Sequence, residues 1–332
     1  MEKSVLISLY QEHPNISRIR AFLREEKSKT LHLNGLLGSA SPLLLAALES
    51  DQNNTRVILL NEREEAAYFF NDLTNLLGDQ YVYYFPSSYK RSIRMQQLDK
   101  DNVMLRTEVL NRMSSRNRKA LVITYPEAIL ERVVSKKELA DHTLHLKKGE
   151  EVNLDFINEV LYEYGFERND FVYEPGQFSI RGGIIDVFSY SSENPYRISF
   201  IGDEVDSIRS FEVDTQMSIR KHASISIVPN LNERLGESTV QTIFDFLPEG
   251  SEFWTKDLSF CLNRMDQILQ GIEVSATSEV RALTEAPTEE DEAILDPEEF
   301  RKKLVDTTEI HQKLTEVQLI EFGKMHFFTS VK

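Results

Sequence analysis

Gly176-Gln177-Phe178-Ser179-Ile180-Arg181-Gly182-Gly183-Ile184-Ile185-Asp186-Val187-Phe188 is an alternating run that breaks at a glycine pair and resumes. Side chains along a strand point alternately to opposite faces, so Phe178 and Ile180 share one side and Ser179 and Arg181 the other. With the phenylalanine side as core, Arg181 is exposed. Counting straight on through Gly182-Gly183 gives Ile185 and Val187 the parity of Arg181, an exposed apolar pair beside an arginine that suits an interface. A bulge at the two glycines breaks that parity. The competing role for Arg181 is an ion pair inside the domain, with Asp170 or Glu204.

Outward from this run the period of two extends over residues 143–228. It includes Leu144 and Leu146, Ile198 and Phe200, and Ile225 and Ile227, with turn signals at Lys148-Gly149, Asn194-Pro195 and Gly202-Asp203. One helix, roughly Leu154 to Tyr164, interrupts it. Residues 1–142 alternate differently. Apolar strands at Leu31 to Leu33, Arg56 to Leu60, Tyr81 to Phe85 and Ala120 to Thr124 are separated by amphipathic helices at 62–77, 101–113 and 126–134. Strands without polar alternation belong to a parallel sheet covered on both faces. After residue 229 the pattern predicts a helix at Val240 to Leu247, a strand at Glu252 to Thr255, a helix at Leu258 to Leu269 and strands at 318–322 and 325–328. The fold class is thus α/β, a parallel sheet with an inserted small antiparallel β-rich domain. The parts are 1–142, 143–228 and 229–332.

The first strand runs into Asn34-Gly35-Leu36-Leu37-Gly38-Ser39-Ala40-Ser41-Pro42. Strand, Gly-rich turn and helix are the setting of a phosphate loop, with the working pattern GxxGxGK(S/T). The lysine bridges phosphates and the hydroxyl holds Mg²⁺. Gly35 and Gly38 remain, but Ala40 replaces the third glycine, Ser41 the lysine and Pro42 the hydroxyl. Ser41 is expected to cap the helix and Pro42 to open it. A degenerate phosphate loop and a plain strand-to-helix turn both imply no hydrolysis.

The 332 residues carry a net charge of −16, which argues against a surface that grips nucleic acid throughout. No apolar run reaches the roughly 20 residues of a membrane span. No signal peptide is read at the start, and the single Cys261 suits a reducing cytoplasm. The apolar run near Lys332 suggests that the chain is part of a longer one. Lys90, Arg91 and Arg94 form a small basic cluster, read as a solvated loop with DNA contact as the sharper alternative. His142 and His145 lack the companions of a metal site. Phe253-Trp254 is read as core, and the acidic stretch 276–299 as a solvated loop or a docking tail.

Gly165-Phe166-Glu167-Arg168-Asn169-Asp170-Phe171, the run Gly176–Phe188, Pro195–Phe200 and Gly202–Arg209 together resemble domain 2 of UvrB and the matching domain of the transcription-repair coupling factors. Tyr83-Tyr84-Phe85-Pro86, Leu121–Ala128 and Phe244-Asp245-Phe246-Leu247-Pro248 extend the resemblance. The last segment resembles the one before a Walker B strand, yet no Glu follows Asp257. The resemblance implies a helicase-like sheet without working ATPase motifs, no cofactor and no metal. It implies an adaptor in transcription-coupled nucleotide excision repair that docks UvrA. Arg168 and Arg181 match the docking arginines by motif position, with Ile185 and Val187 adjoining. UvrB has a further arginine where this chain has Ser179. The short stretch after Tyr84, with only Tyr89, implies weak DNA contact. RNA polymerase is expected to bind elsewhere in a full-length protein. The alternative is a UvrB-type nucleic-acid-dependent ATPase with divergent motifs.

Overall fold

A computed structural model describes residues 3–24, 30–49, 54–90, 98–115, 119–231, 240–276 and 297–323. The chain divides into two compact units: Met1–Gln97 with Arg112–Arg132 and Thr242–Lys332, and Leu98–Asn111 with Val133–Gln241.

In the first unit β1 (Thr30–Leu33), β2 (Thr55–Leu59), β3 (Val82–Tyr84), β4 (Ala120–Thr124), β15 (Glu252–Lys256) and β16 (Gln318–Phe322) form a parallel sheet in the order β1-β16-β15-β2-β4-β3. Every residue of β2 and β4 is buried, as expected for strands covered on both faces. Phe253 and Trp254 are core, with Phe253 stacked on Phe244 at 5.2 Å.

A buried ion pair joins two neighbouring strands of this sheet. Arg56 stands opposite Glu252 in register. Its Nε donates to Glu252 Oε2 at 2.7 Å and its Nη1 to Glu49 Oε2 at 3.2 Å, while Trp254 Nε1 donates to Glu252 Oε2 at 2.9 Å. Burial opposes the Arg56 charge, but Glu252 and Glu49 outweigh it and hold its pKa above the ordinary value.

Local chemistry shifts three elements from their sequence-based positions. The helix after β1 is Ala40–Leu48 with Ser39, not Ser41, at its N-cap. Pro42 therefore sits third in the helix, still within the first turn whose N–H groups have no intrahelical partner. The helix at Pro126 stops at Leu130. The Glu131 carboxylate accepts Ser88 N at 3.1 Å and Ser88 Oγ at 2.5 Å, and β5 (Val133–Val134) pairs with β14 (Val240–Gln241). No long helix starts at Val240. Thr242 and Asp245 form a capping box that opens a single 3-10 turn, Ile243–Phe246, ahead of Pro248. The expected strand at 325–328 lies outside the described residues.

The second unit holds β6 (Leu144–Lys147), β7 (Glu167–Arg168), β8 (Gln177–Arg181), β9 (Ile184–Val187), β10 (Tyr196–Ile201), β11 (Glu204–Phe211), β12 (Ser218–His222) and β13 (Ser224–Ile227). Its main sheet runs β12-β11-β10-β9-β8-β7, antiparallel except between β7 and β8; β6 and β13 form a separate pair. The helix Leu154–Glu163 is capped by Asn153, whose side chain accepts from Asp155 N, and it buries Ile157 and Leu161. These join Leu146, Phe178, Ile185, Val187, Ile198, Phe200, Val205 and Ile208 in one core.

The hairpin β8–β9 corrects the parity of the opening run. Arg181 pairs with Ile184, Ile180 with Ile185, Ser179 with Asp186 and Phe178 with Val187. Only Gly182 and Gly183 lie between the strands, with Gly182 at φ +59°. A Cβ on Gly183 would meet the Phe200 carbonyl oxygen at 3.0 Å. Directly opposed residues share a face. Ile185 and Val187 are therefore on the phenylalanine side, fully buried, and do not form an exposed pair beside Arg181. The apolar residue on the arginine face is Ile184, 37% exposed.

Two outcomes are expected in denaturant unfolding. Ile185→Ala loses about 2–5 kcal/mol, whereas Ile184→Ala stays within about 0.5–1 kcal/mol of wild type; equal costs would refute this register. Glu252→Ala, which strands a buried Arg56, costs about 3–5 kcal/mol, and most of that returns in the double variant Arg56→Met/Glu252→Leu. A single change that leaves the melting curve unmoved would show that the pair is not buried.

Candidate functional site

The carboxyl edge of a parallel sheet is where α/β folds bind ligands. Leu33, Phe322 and Lys256 end their strands in register, so the Gly-rich turn after β1 and Asp257 after β15 leave the same edge. Gly35 and Gly38 both take positive φ, Ala40 and Ser41 fall in the first helical turn, and Pro42 is buried. Beside the turn, within this unit, is a cavity of about 620 Å³, walled chiefly by leucine and isoleucine side chains and also lined by His13, His32 and Asn34. At the other strand end Lys256 pairs with Glu65, and Glu321 accepts Leu258 N at 3.1 Å. Burial pushes the Cys261 thiol up to about 12, so it is not a nucleophile at neutral pH.

The second candidate lies on the sheet of the other unit. Asp186 is 2% exposed and both of its oxygens are used. Arg197 Nε donates to Oδ1 at 2.7 Å and its Nη2 to Oδ2 at 2.8 Å; Arg181 Nη2 donates to Oδ2 at 2.5 Å. Hydrogen bonding to Asp186 holds the Arg197 pKa above its ordinary value, against the pull of partial burial. Arg197 also lies over the Phe211 ring at 4.4 Å and donates to Gln216 Oε1 at 2.9 Å.

Arg181 is thus held on three sides. Besides Asp186, its Nη1 donates to the Asp170 carbonyl at 3.1 Å, and its guanidinium lies over the Phe171 ring at 5.2 Å. Yet 42% of its side chain remains exposed. Phe171 and Tyr173 are about half exposed, and Ile184 sits opposite it on β9. A guanidinium fixed by a buried carboxylate and an aromatic face loses little side-chain freedom on binding.

The structure separates the sequence-based site residues. Arg168 is exposed on edge strand β7, but its register partner is Phe178, so it leaves the sheet on the opposite side from Arg181. The link between the two arginines is the segment after β7, whose Asp170 and Phe171 touch Arg181. Ile185 and Val187 are core. Ser179 is buried, with Oγ donating to the Asp170 carbonyl at 3.0 Å. The competing role for Arg181, an ion pair inside the domain, is also realised, but with Asp186 and not with Asp170 or Glu204; Asp170 contributes its backbone carbonyl. Asp186, Arg197, Phe171 and Ile184 escaped the sequence argument, although a two-residue glycine turn already places residue 186 opposite 179. His142 and His145 point to different partners, the Glu138 carbonyl and Ser226 Oγ. In the basic cluster, the Lys90 carbonyl accepts from Arg63; Arg91 and Arg94 lie outside the described residues, as does 277–296 of the acidic stretch. No helix among the described residues is long and apolar enough to cross a membrane.

Residues 144–232 match the family model of the UvrB interaction domain. The transcription-repair-coupling factor of Bacillus subtilis (strain 168) is 36% identical over 198 residues, 59% of this chain and 17% of the relative. That of Escherichia coli (strain K12) is 27% identical over 197 residues, with the same two shares. The match thus spans 17% of the length of these curated relatives. Over that stretch the chain is similar to a UvrB-like module of the transcription-repair-coupling factors, and its β-rich unit is where the UvrB interaction domain falls.

Proposed function

We propose that this chain is a cytoplasmic adaptor of transcription-coupled nucleotide excision repair that docks UvrA and does no nucleotide chemistry. The observation that carries this is Arg181, held by a buried carboxylate yet almost half exposed, inside the stretch that matches the UvrB interaction domain. Arginine is enriched at binding hot spots because its fork grips carboxylates in two places at once. The three-part division at 142 and 228 is then functional: 143–228 docks, and 1–142 with 229–332 forms a helicase-like scaffold. Arg168 and Arg181 contact UvrA from the two sides of the β7–β8 edge, and Ile184 and Phe171 supply apolar area beside Arg181. RNA polymerase contact and any ATP-driven motor belong to other parts of a longer protein.

The scaffold's phosphate loop supports the absence of hydrolysis. Ser41 stands where the pattern has its lysine and Pro42 where it has the Mg²⁺-binding hydroxyl, so neither group is at the position on which phosphoryl transfer depends. The fold around the turn is kept by packing: Leu44 to Leu48 are all buried, so the strand–turn–helix persists without a nucleotide.

Isothermal titration of purified UvrA should give binding by the wild-type chain. Arg181→Ala is expected to weaken it by about 2 kcal/mol or more and Arg168→Ala by about 1 kcal/mol or more; Arg168→Ala leaves melting unchanged, and Arg181→Ala leaves the chain folded at a lower melting temperature because Arg197 still pairs with Asp186. Binding untouched by both substitutions discards this face, and a wild type that does not bind discards the adaptor. Separately, ATP should neither bind in equilibrium dialysis nor be hydrolysed with or without DNA; DNA-stimulated hydrolysis would favour the UvrB-type ATPase instead.

A further inference from the structure

Cross-strand register continues the Asp186 row towards the other sheet edge. Asp186 stands opposite Arg197, Arg197 opposite Arg209, and Arg209 opposite Lys221. Directly opposed residues have Cβ atoms about 4.5–5.5 Å apart, and like charges in that position repel. Three cations therefore line one sheet face with one carboxylate among them, and Arg197 already claims that carboxylate. Arg209 and Lys221 have no ion-pair partner among the described residues. Arg209 is half-buried, and its Nε is shielded from solvent with no hydrogen-bond partner. Leaving such a group unpaired is costly, more so when it is charged. Lys221 is exposed on β12, every residue of which is exposed or half-buried at this open edge of the sheet.

We propose that Arg209 and Lys221 form a second docking strip for an acidic protein surface, extending the Arg181 contact across β9–β12. This deepens the adaptor reading and rests on it. Turned outward, Arg209 reaches a carboxylate with Nε and a terminal nitrogen together, which satisfies the unpaired donor. Lys221 adds a point charge one strand further on. Charge complementarity selects the occupant. Phosphate tracking calls for many clustered cations, not two or three. A carboxylate-bearing protein surface needs only the few that the register supplies, and a basic strip on an acidic body speeds its encounter.

The test is the affinity of the whole chain for purified UvrA at low and at physiological salt, with Arg181 intact. Arg209→Ser/Lys221→Ser is expected to weaken binding by on the order of tenfold at low salt and to flatten its salt dependence; Lys221→Glu, at an exposed position of the edge strand, should weaken it further than Lys221→Ser. Arg181→Ala should leave most of the salt dependence in place. If wild type binds UvrA and the folded strip variants match it in affinity and salt dependence, the strip is overturned while the Arg181 site stands. If the strip variants lose binding to a duplex oligonucleotide but keep UvrA affinity, the partner is nucleic acid and the proposal fails. If wild type itself does not bind UvrA, the adaptor reading falls and the strip with it.

Discussion

A two-residue turn at Gly182-Gly183 fixes the register on which the β-rich unit depends. With no third residue in the loop, β9 folds back directly over β8, and each side chain is locked opposite one partner. Slipping β9 by one residue against β8 would turn Ile185 and Val187 out to the other face and bring Asp186 onto the side of the apolar core. Burial of the apolar set and burial of the carboxylate therefore specify the same pairing. The close approach of Gly183 to the Phe200 carbonyl ties the third strand, β10, into this arrangement, because Phe200 N also donates to the Gly183 carbonyl at 2.8 Å.

The two units solve the same electrostatic problem in different ways. In the parallel sheet Arg56 and Glu252 are both buried, so their pair serves the interior alone. In the β-rich unit Asp186 is buried but its two arginines are graded: Arg197 is mostly covered and Arg181 almost half exposed. A buried carboxylate that anchors a half-exposed cation holds the charge at the surface in one orientation. Part of the ordering cost of an arginine contact is then met by the fold before any partner arrives.

Much of this was legible in the sequence. The uninterrupted runs at 56–60 and 120–124 mark strands covered on both sides, and the period of two after residue 143 marks the change of architecture. Both follow from burial alone, which periodicity reports directly. What failed depended on a partner far away in sequence. Pro126 to Val134 has helical propensity, but Val133 and Val134 are drawn into pairing with Val240 and Gln241. Val240 to Leu247 looks amphipathic, but Val240 and Gln241 are taken by that same pairing, and only one turn, Ile243–Phe246, follows before Pro248. At the proposed docking face, Arg181 could be placed from its strand, whereas Ile185 and Val187 were misplaced because parity was carried through a reversal of chain direction. A turn resets the count: across a two-residue hairpin, residues whose numbers sum to the same value face the same way, so 180 pairs with 185 and 181 with 184.

That reset has a chemical consequence. Counted straight through, the run offers an arginine beside two β-branched side chains, an apolar interface with one charge. Folded back, it offers an arginine braced by a carboxylate, with one half-exposed isoleucine opposite and an aromatic ring beneath. The first surface would bind through area; the second would bind through orientation, with the apolar atoms excluding water around a fixed guanidinium. Meanwhile the carboxyl edge of the parallel sheet keeps its glycine turn but lacks the lysine and hydroxyl that hold phosphate and metal. The charges that the fold sets in place are therefore on the face of the β-rich sheet, around a carboxylate that is itself buried.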